Sequence, residues 1–199
     1  MRLKDEDKIE RIYLSAMKII NLDGFQGCSM SKIAVDADIS PATIYLYFEN
    51  KDDMIKKLFI HLKSKMGNSY FSTASDFSPS KGTFRTIWLN HYRYMMDNPE
   101  EYTFLENFSN CPLIDHIEKE HKSDYCPGFE ALFELSKTEK LILPLHNDII
   151  YSLLFAPINQ LVKKTKSTGT SLSANDLIQI FDASWKAISQ TSFKKELFK

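Results

Sequence analysis

The sequence predicts an all-α protein, with an N-terminal three-helix unit followed by a larger C-terminal helical bundle. Three observations carry that expectation. Apolar residues recur at three- and four-residue intervals in segment after segment from Ile9 to Ile188, the spacing that lines one face of a helix. No segment alternates apolar and polar residues as a half-buried strand does. Helix-capping residues punctuate the chain, closely spaced early at Ser29 and Ser40-Pro41 and more widely later at Asn50 and Ser173, each placed just before an apolar periodic run.

The first element runs from about Asp5 to Leu22, where Ile9, Ile12, Tyr13, Ala16, Ile19 and Ile20 share a face and Gly24 stops the segment. Ser29 then caps a short helix carrying Ile33, Ala34 and Ala37, and Ser40-Pro41 caps a second only a few residues later. Ile33, Ala37, Ile39 and Ile44 form an apolar set that holds these two helices across each other, and Ala34 is small where they approach. Two short crossed helices joined by a tight turn form a helix-turn-helix. The second helix presents Pro41, Ala42, Thr43, Tyr45 and Tyr47 outward. A helix whose first turn carries small and hydroxyl-bearing residues fits deep in a major groove, with its N-terminal groups near base edges and phosphates. Tyr45-Leu46-Tyr47-Phe48 is β-prone in isolation, but its flanking caps put it at a helix end.

The run Thr43-Ile44-Tyr45-Leu46-Tyr47-Phe48-Glu49-Asn50-Lys51, followed by Asp52-Asp53-Met54-Ile55 and preceded by Gly24-Phe25, resembles the DNA-binding signature of the TetR family of bacterial ligand-responsive transcriptional regulators. The resemblance implies groove contacts for Ser31, Pro41, Ala42, Thr43 and Tyr45, and phosphate contacts for Tyr47 and Lys51. With the cap Ser40 these make up the candidate DNA-binding set. The chain departs from the pattern twice. Asp38 stands where the turn usually has Gly, a change that a residue tolerant of the left-handed conformation allows. Met30 replaces a hydroxyl residue and is expected to make no phosphate contact.

Asn50 caps a longer helix whose stripe Met54, Ile55, Leu58, Phe59, Leu62 and Met66 outruns what a three-helix unit needs. In the family this helix links the DNA-binding domain to the sensor domain. The expected division is therefore residues 1–50 for DNA binding, 51–67 for the connecting helix and 68–199 for ligand binding and dimerisation. Gly67 to Gly82 is rich in Ser, Thr, Asp and Pro and is expected to be a loop. Helices are then expected over Lys81 to Asp97, from Pro99 to about Asn110, and from Pro127 to about Lys140. Cys111-Pro112 breaks the pattern between the last two, and Leu113 to Tyr125 is polar and mixed. Asn98-Pro99-Glu100 with Glu101 to Ile114 is similar to a sensor-domain passage of the same family. The last two helices are expected from Leu145 to about Lys166, kinked at Pro157, and from Ser173 to about Thr191. Together they carry more apolar surface than one chain covers, which predicts a homodimer through a four-helix interface. Paired half-sites on double-stranded operator DNA demand the same pairing.

Composition narrows the class. An apolar content of 43% and a charged content of 26% are those of an ordinary globular protein. The net charge of -1 shows no chain-wide basic excess, so a nucleic-acid surface must be local, with Lys4, Lys8, Lys32, Lys51, Lys56 and Lys57 as candidates among Asp5, Glu6, Asp7 and Glu10. Weak non-specific binding follows. Three widely spaced cysteines form no disulfide framework. The first ten residues are too charged for a signal peptide, and no apolar run approaches the roughly 20 residues that span a bilayer. A cytoplasmic location and no membrane partner are expected.

Trp88, Tyr92, Met95, Met96, Phe104, Phe108, Phe129, Phe133 and Tyr151 concentrate large side chains in the second half. Taken singly, each fits a bundle core. Collectively, the resemblance implies that they line a cavity for a small hydrophobic or aromatic effector, with His91, Tyr92, Asn107 and Asn159 as polar handles. Cys111, His116, His121 and Cys126 fall at five-residue intervals, a spacing that turns successive side chains away from one helix face, so no metal site is expected. No Gly-rich phosphate loop, nucleophile elbow or paired catalytic carboxylate is present, so neither an enzyme nor a cofactor is expected. The reading is a repressor that binds a palindromic operator as a dimer and is released by its effector. The runner-up is a helical small-molecule binding or carrier protein without DNA-binding activity.

Overall fold

The computed structural model describes residues 2–72, 78–108 and 127–190. Nine helices occur among them: α1 (Arg2–Gly27), α2 (Met30–Asp36), α3 (Pro41–Ile44), α4 (Lys51–Phe71), α5 (Lys81–Asp97), α6 (Pro99–Phe108), α7 (Pro127–Thr138), α8 (Asn147–Thr168) and α9 (Ala174–Ile188). The all-α expectation holds. The one β feature among the described residues is an isolated bridge between Ile142 and Ser189.

The helices fall into two compact units. The first holds α1, α2, α3, α4 as far as Lys65, and α6. The second holds α4 from Met66 onward with α5, α7, α8 and α9. Residues of α4 therefore belong to both units.

In the first unit Gly24 (φ 71°, ψ 175°) interrupts α1, as only a residue without a Cβ does cheaply at that angle, and one further turn follows to Gly27. Two lysines satisfy carbonyls of that added turn: Lys51 Nζ donates to Phe25 O at 3.1 Å and Lys32 Nζ to Gly27 O at 2.8 Å. Ile12, Ala16, Met17 and Ile20 of α1 are buried with Ile33, Ala34, Ala37, Ile44 and Phe48, and with Met54, Ile55, Leu58, Phe59 and Leu62 of α4. Each large side chain so buried contributes about 1.5–3 kcal/mol. α6 joins this core, although the sequence places it within residues 68–199. Phe108 stacks on Phe59 at 4.5 Å and meets Phe25 edge-on at 5.5 Å.

α4 runs past the expected stop at Met66 to Phe71. The reason lies in the second unit, where Tyr70 is almost fully buried and its carbonyl accepts from Asn90 Nδ2 at 3.0 Å. A side chain at residue 128 would strike the Phe71 ring at 2.8 Å, so Gly128 lets α7 approach. α8 passes through Pro157 as one helix and ends at left-handed Gly169 (φ 67°). α9 opens on a capping box in which Ser173 and Asp176 satisfy each other's backbone amides.

Candidate nucleic-acid interface

The helix-turn-helix is fixed from both sides of its turn. Ser29 Oγ accepts from Lys32 N at 3.3 Å to start α2. α2 ends with Ile39 N donating back to Ala34 O at 3.0 Å and Asp38 in the left-handed region at φ 52°, a Schellman ending that glycine most often supplies. Ser40 Oγ then accepts from Thr43 N at 3.2 Å, and Pro41 takes the first helical position. α3 is shorter than expected. Regular helix stops at Ile44, and Leu46 N to Thr43 O (3.2 Å) and Tyr47 N to Ile44 O (3.0 Å) tighten the chain into a turn that drives Phe48 inward.

Burial sorts the candidate set. Ser31, Ser40, Pro41, Ala42 and Tyr45 are exposed, Tyr45 at 57%, while Thr43, Tyr47 and Lys51 are half-buried. Thr43 Oγ1 lies 2.8 Å from Ser40 Oγ. Tyr47 donates its hydroxyl to Asp5 Oδ1 at 2.8 Å, a bond that holds the phenol above its ordinary pKa. The Lys51 ammonium sits on the Phe25 carbonyl rather than standing clear in solvent. Leu46, 79% exposed in the same turn as Tyr45, was not in the sequence set. Its type carries no signal of that exposure, because an apolar side chain two places after buried Ile44 reads as core.

The basic residues of this unit are engaged locally. Lys8 faces Asp5 at 3.7 Å, Lys32 faces Asp23 at 3.2 Å, and Lys57 faces Asp53 at 2.9 Å while donating to Tyr47 O at 3.2 Å. Burial raises the Asp53 carboxyl, but Lys57 and the Glu49 amide outweigh it and hold it below its usual range. Exposed pairs of this kind are weak, so a phosphate competes for the same ammonium groups. Burial also pushes the Tyr13 phenol up to about 12, helped by Asp53 and Glu10, and raises the Cys28 thiol.

The second unit brings together part of the expected ligand set. His91, 2% exposed, has Nδ1 2.8 Å from the Tyr70 hydroxyl and Nε2 2.6 Å from Asn159 Oδ1. Both ring nitrogens of His91 are thus engaged, Nε2 with the Asn159 amide oxygen and Nδ1 with the Tyr70 hydroxyl. Phe129 and Tyr151 meet Phe155 beside this chain of bonds, at 5.6 and 4.8 Å. Trp88 packs on Phe181 and donates to Leu154 O at 2.9 Å, and Phe133 stacks on Phe84. Met95 is buried and Tyr92 half-buried. Phe104 and Phe108 are not brought to this cluster; they lie with Phe25 in the first unit, and Asn107 is exposed on the same helix. Alternation of apolar positions could not reveal that α6 turns back to α1. Tyr70 and Phe155 join the cluster from outside the expected set, Tyr70 from a stretch after Gly67 whose composition is loop-like.

Cys111, His116, His121 and Cys126 lie outside the described residues. Among the described residues no group of three or more His, Cys, Asp or Glu could hold a metal ion, and no helix is long and apolar enough to cross a membrane.

Comparison with known proteins bears on both units. The family described as bacterial regulatory proteins, tetR family, matches residues 12–58. The tetracyclin repressor-like C-terminal domain matches residues 79–189, more than half of the chain. A Haemophilus influenzae protein described as an uncharacterized HTH-type transcriptional regulator is 26% identical over 194 residues, covering 96% of this chain and 100% of its own. A Bacillus subtilis fatty acid metabolism regulator protein is 42% identical over 60 residues, 30% of this chain and 29% of its own. The fold is shared with a Marinobacter aquaeolei TetR-family regulator of known structure at a TM-score of 0.86 and 22% identity, over 95% of this chain and 99% of that one. A Haemophilus influenzae TetR-family structure gives a TM-score of 0.81 at 23% identity, over 92% and 97%.

Proposed function

The chain belongs to the TetR family of bacterial transcriptional regulators, with a helix-turn-helix for DNA, and on that premise we propose that it is a homodimeric repressor released by a small hydrophobic effector. The observation that carries this reading is the exposed first turn of α3, with Pro41, Ala42 and Tyr45 outward and Ile44 buried beneath, on a unit whose α4 continues unbroken into the second. Two copies would set their α3 helices in successive major grooves about 34–36 Å apart on a roughly palindromic operator. Ser31, Ser40, Pro41, Ala42, Thr43 and Tyr45 would face the groove, and Tyr47 and Lys51 the backbone.

Pairing through α8 and α9 is supported by the apolar side chains they leave in solvent, Ile149 on one and Ile178 on the other. An effector entering among Phe129, Tyr151 and Phe155 would meet the His91–Asn159 pair as its polar partner and would bear on Tyr70, and so on α4. To shift the dimer from almost wholly bound to almost wholly released, it must prefer the released form by roughly 5.5 kcal/mol. The partial likeness to a fatty acid metabolism regulator makes acyl compounds the first class to try.

Selection of bound sequences from random duplex DNA, repeated with acyl and aromatic compounds, tests the whole reading. A palindromic consensus that is lost on adding one compound class is the expected result. No enrichment, with tight compound binding that salt leaves unchanged, would instead favour the carrier protein.

A further inference from the structure

Asp5 stands in the first turn of α1, and Tyr47 closes the turn after α3, 42 residues later in the chain. The Tyr47 hydroxyl has one proton to donate, and Asp5 Oδ1 takes it at 2.8 Å. The same carboxylate oxygen lies 3.7 Å from Lys8 Nζ. The Tyr47 backbone is meanwhile held by Lys57, which donates to its carbonyl at 3.2 Å. A single acid thus takes one hydroxyl proton and lies within ion-pair distance of one ammonium, beside the turn that ends the reading element.

We propose that Asp5 is a built-in brake on DNA binding: in the free protein it takes the Tyr47 hydroxyl proton and offsets the charge of the nearby Lys8 ammonium, and a phosphate must displace it to gain the hydroxyl. The proposal rests on the DNA reading above and adds a residue which that reading does not contain. A phosphate oxygen, like a carboxylate, only accepts, so the single hydroxyl proton serves one of the two anions at a time. A phosphate bonded to Tyr47 in place of Asp5 would lie a few ångströms from that carboxylate, and two anions so close repel even through water. The Asp5 charge also offsets that of Lys8, so a phosphate near this lysine meets less net positive charge and displaces fewer counterions than it would without the carboxylate. The brake therefore falls on backbone contacts and not on base readout, and it weakens binding to every sequence alike.

The test uses the full chain and two labelled probes: a mixed-sequence duplex long enough for two successive major grooves, and the duplex that the parent protein selects. Asp5→Asn removes the charge with little change of shape and is expected to bind both probes about three- to tenfold tighter per protomer at low salt, with a steeper salt slope. Asp5→Ala, which removes the acceptor as well, is expected to move in the same direction. In a Tyr47→Phe background the gain from Asp5→Ala should shrink, because the hydroxyl that this substitution releases is gone. Equal or weaker binding by both Asp5 variants would overturn the proposal and make Asp5 a support that aims Tyr47. An undiminished gain in the Tyr47→Phe background would overturn the hydroxyl's part in it. If the parent bound neither duplex at any salt concentration, the DNA reading itself would fall, and the brake with it.

Discussion

Ile44 and Tyr45 are neighbours with opposite environments, one fully buried and the other 57% exposed. Truncating each separates structure from recognition. Ile44→Ala leaves a cavity between α3 and the rest of the unit and is expected to cost about 2–5 kcal/mol, read as a lower thermal midpoint. Tyr45→Ala should leave that midpoint nearly unchanged and narrow the gap between selected and mixed-sequence duplexes. Asp38 is the residue at which the sequence was read most directly. It stands in place of the family's usual Gly, and its φ of 52° is the angle that the departure has to meet. Asp38→Gly is therefore expected to be neutral or mildly stabilising, and Asp38→Val to lose about 1–2 kcal/mol. Lys51 was legible only in part. Its position in the signature was plain, but its hydrogen bond to Phe25 O depends on a helical turn after Gly24 that local sequence did not announce.

Among the helices, caps and periodicity were informative where the signal is local. Ser29, Ser40, Asn50 and Ser173 all do the capping read from the sequence, Asn50 through Oδ1 accepting from Asp53 N at 2.9 Å. What local signal could not give was the extent of α4. Gly67, Asn68 and Ser69 look like a helix ending, yet the helix continues because Tyr70 finds partners in α5 and α8. The same limit applies to α6, whose apolar face was visible but whose partner, α1, was not. The buried His91 makes a test of the Tyr70–His91–Asn159 chain. His91→Ala removes both of its bonds and leaves a void, and should cost about 2–4 kcal/mol by thermal or denaturant unfolding. α9 supplies a pH prediction. Hydrogen bonds from the Ser173 hydroxyl and amide hold the Asp176 carboxyl below its ordinary 3.8. Because the folded value is the lower one, the contribution is complete above about pH 4–5 and disappears as pH falls through the folded value. Ser173→Ala should lower the thermal midpoint at neutral pH and bring it closer to the parent's under acid, as seen in melting curves collected over a pH series.

For the whole molecule, the two units and the continuous helix they share support the proposed coupling of effector to DNA. The near-neutral net charge of -1 and the local engagement of Lys8, Lys32 and Lys57 predict modest non-specific affinity. Specific binding must then lean on two copies acting together, and light scattering should find a dimer at working concentrations. Fold class and the location of the reading element were legible because helical periodicity and the signature around Tyr45 are properties of contiguous residues. The residues proposed to meet an effector were less so, because Phe129 of α7, Tyr151 and Asn159 of α8, His91 of α5 and Tyr70 of α4 meet only through tertiary packing of four helices. The claim that α3 reads DNA in pairs has its most direct test in equilibrium binding of the parent and Tyr45→Ala to a selected duplex across a salt series. The parent should bind as a dimer, weakening steeply as salt rises, with Tyr45→Ala losing sequence discrimination but not assembly. Binding by Tyr45→Ala as tight and as selective as the parent's, or a parent that stays monomeric on the duplex, would contradict it.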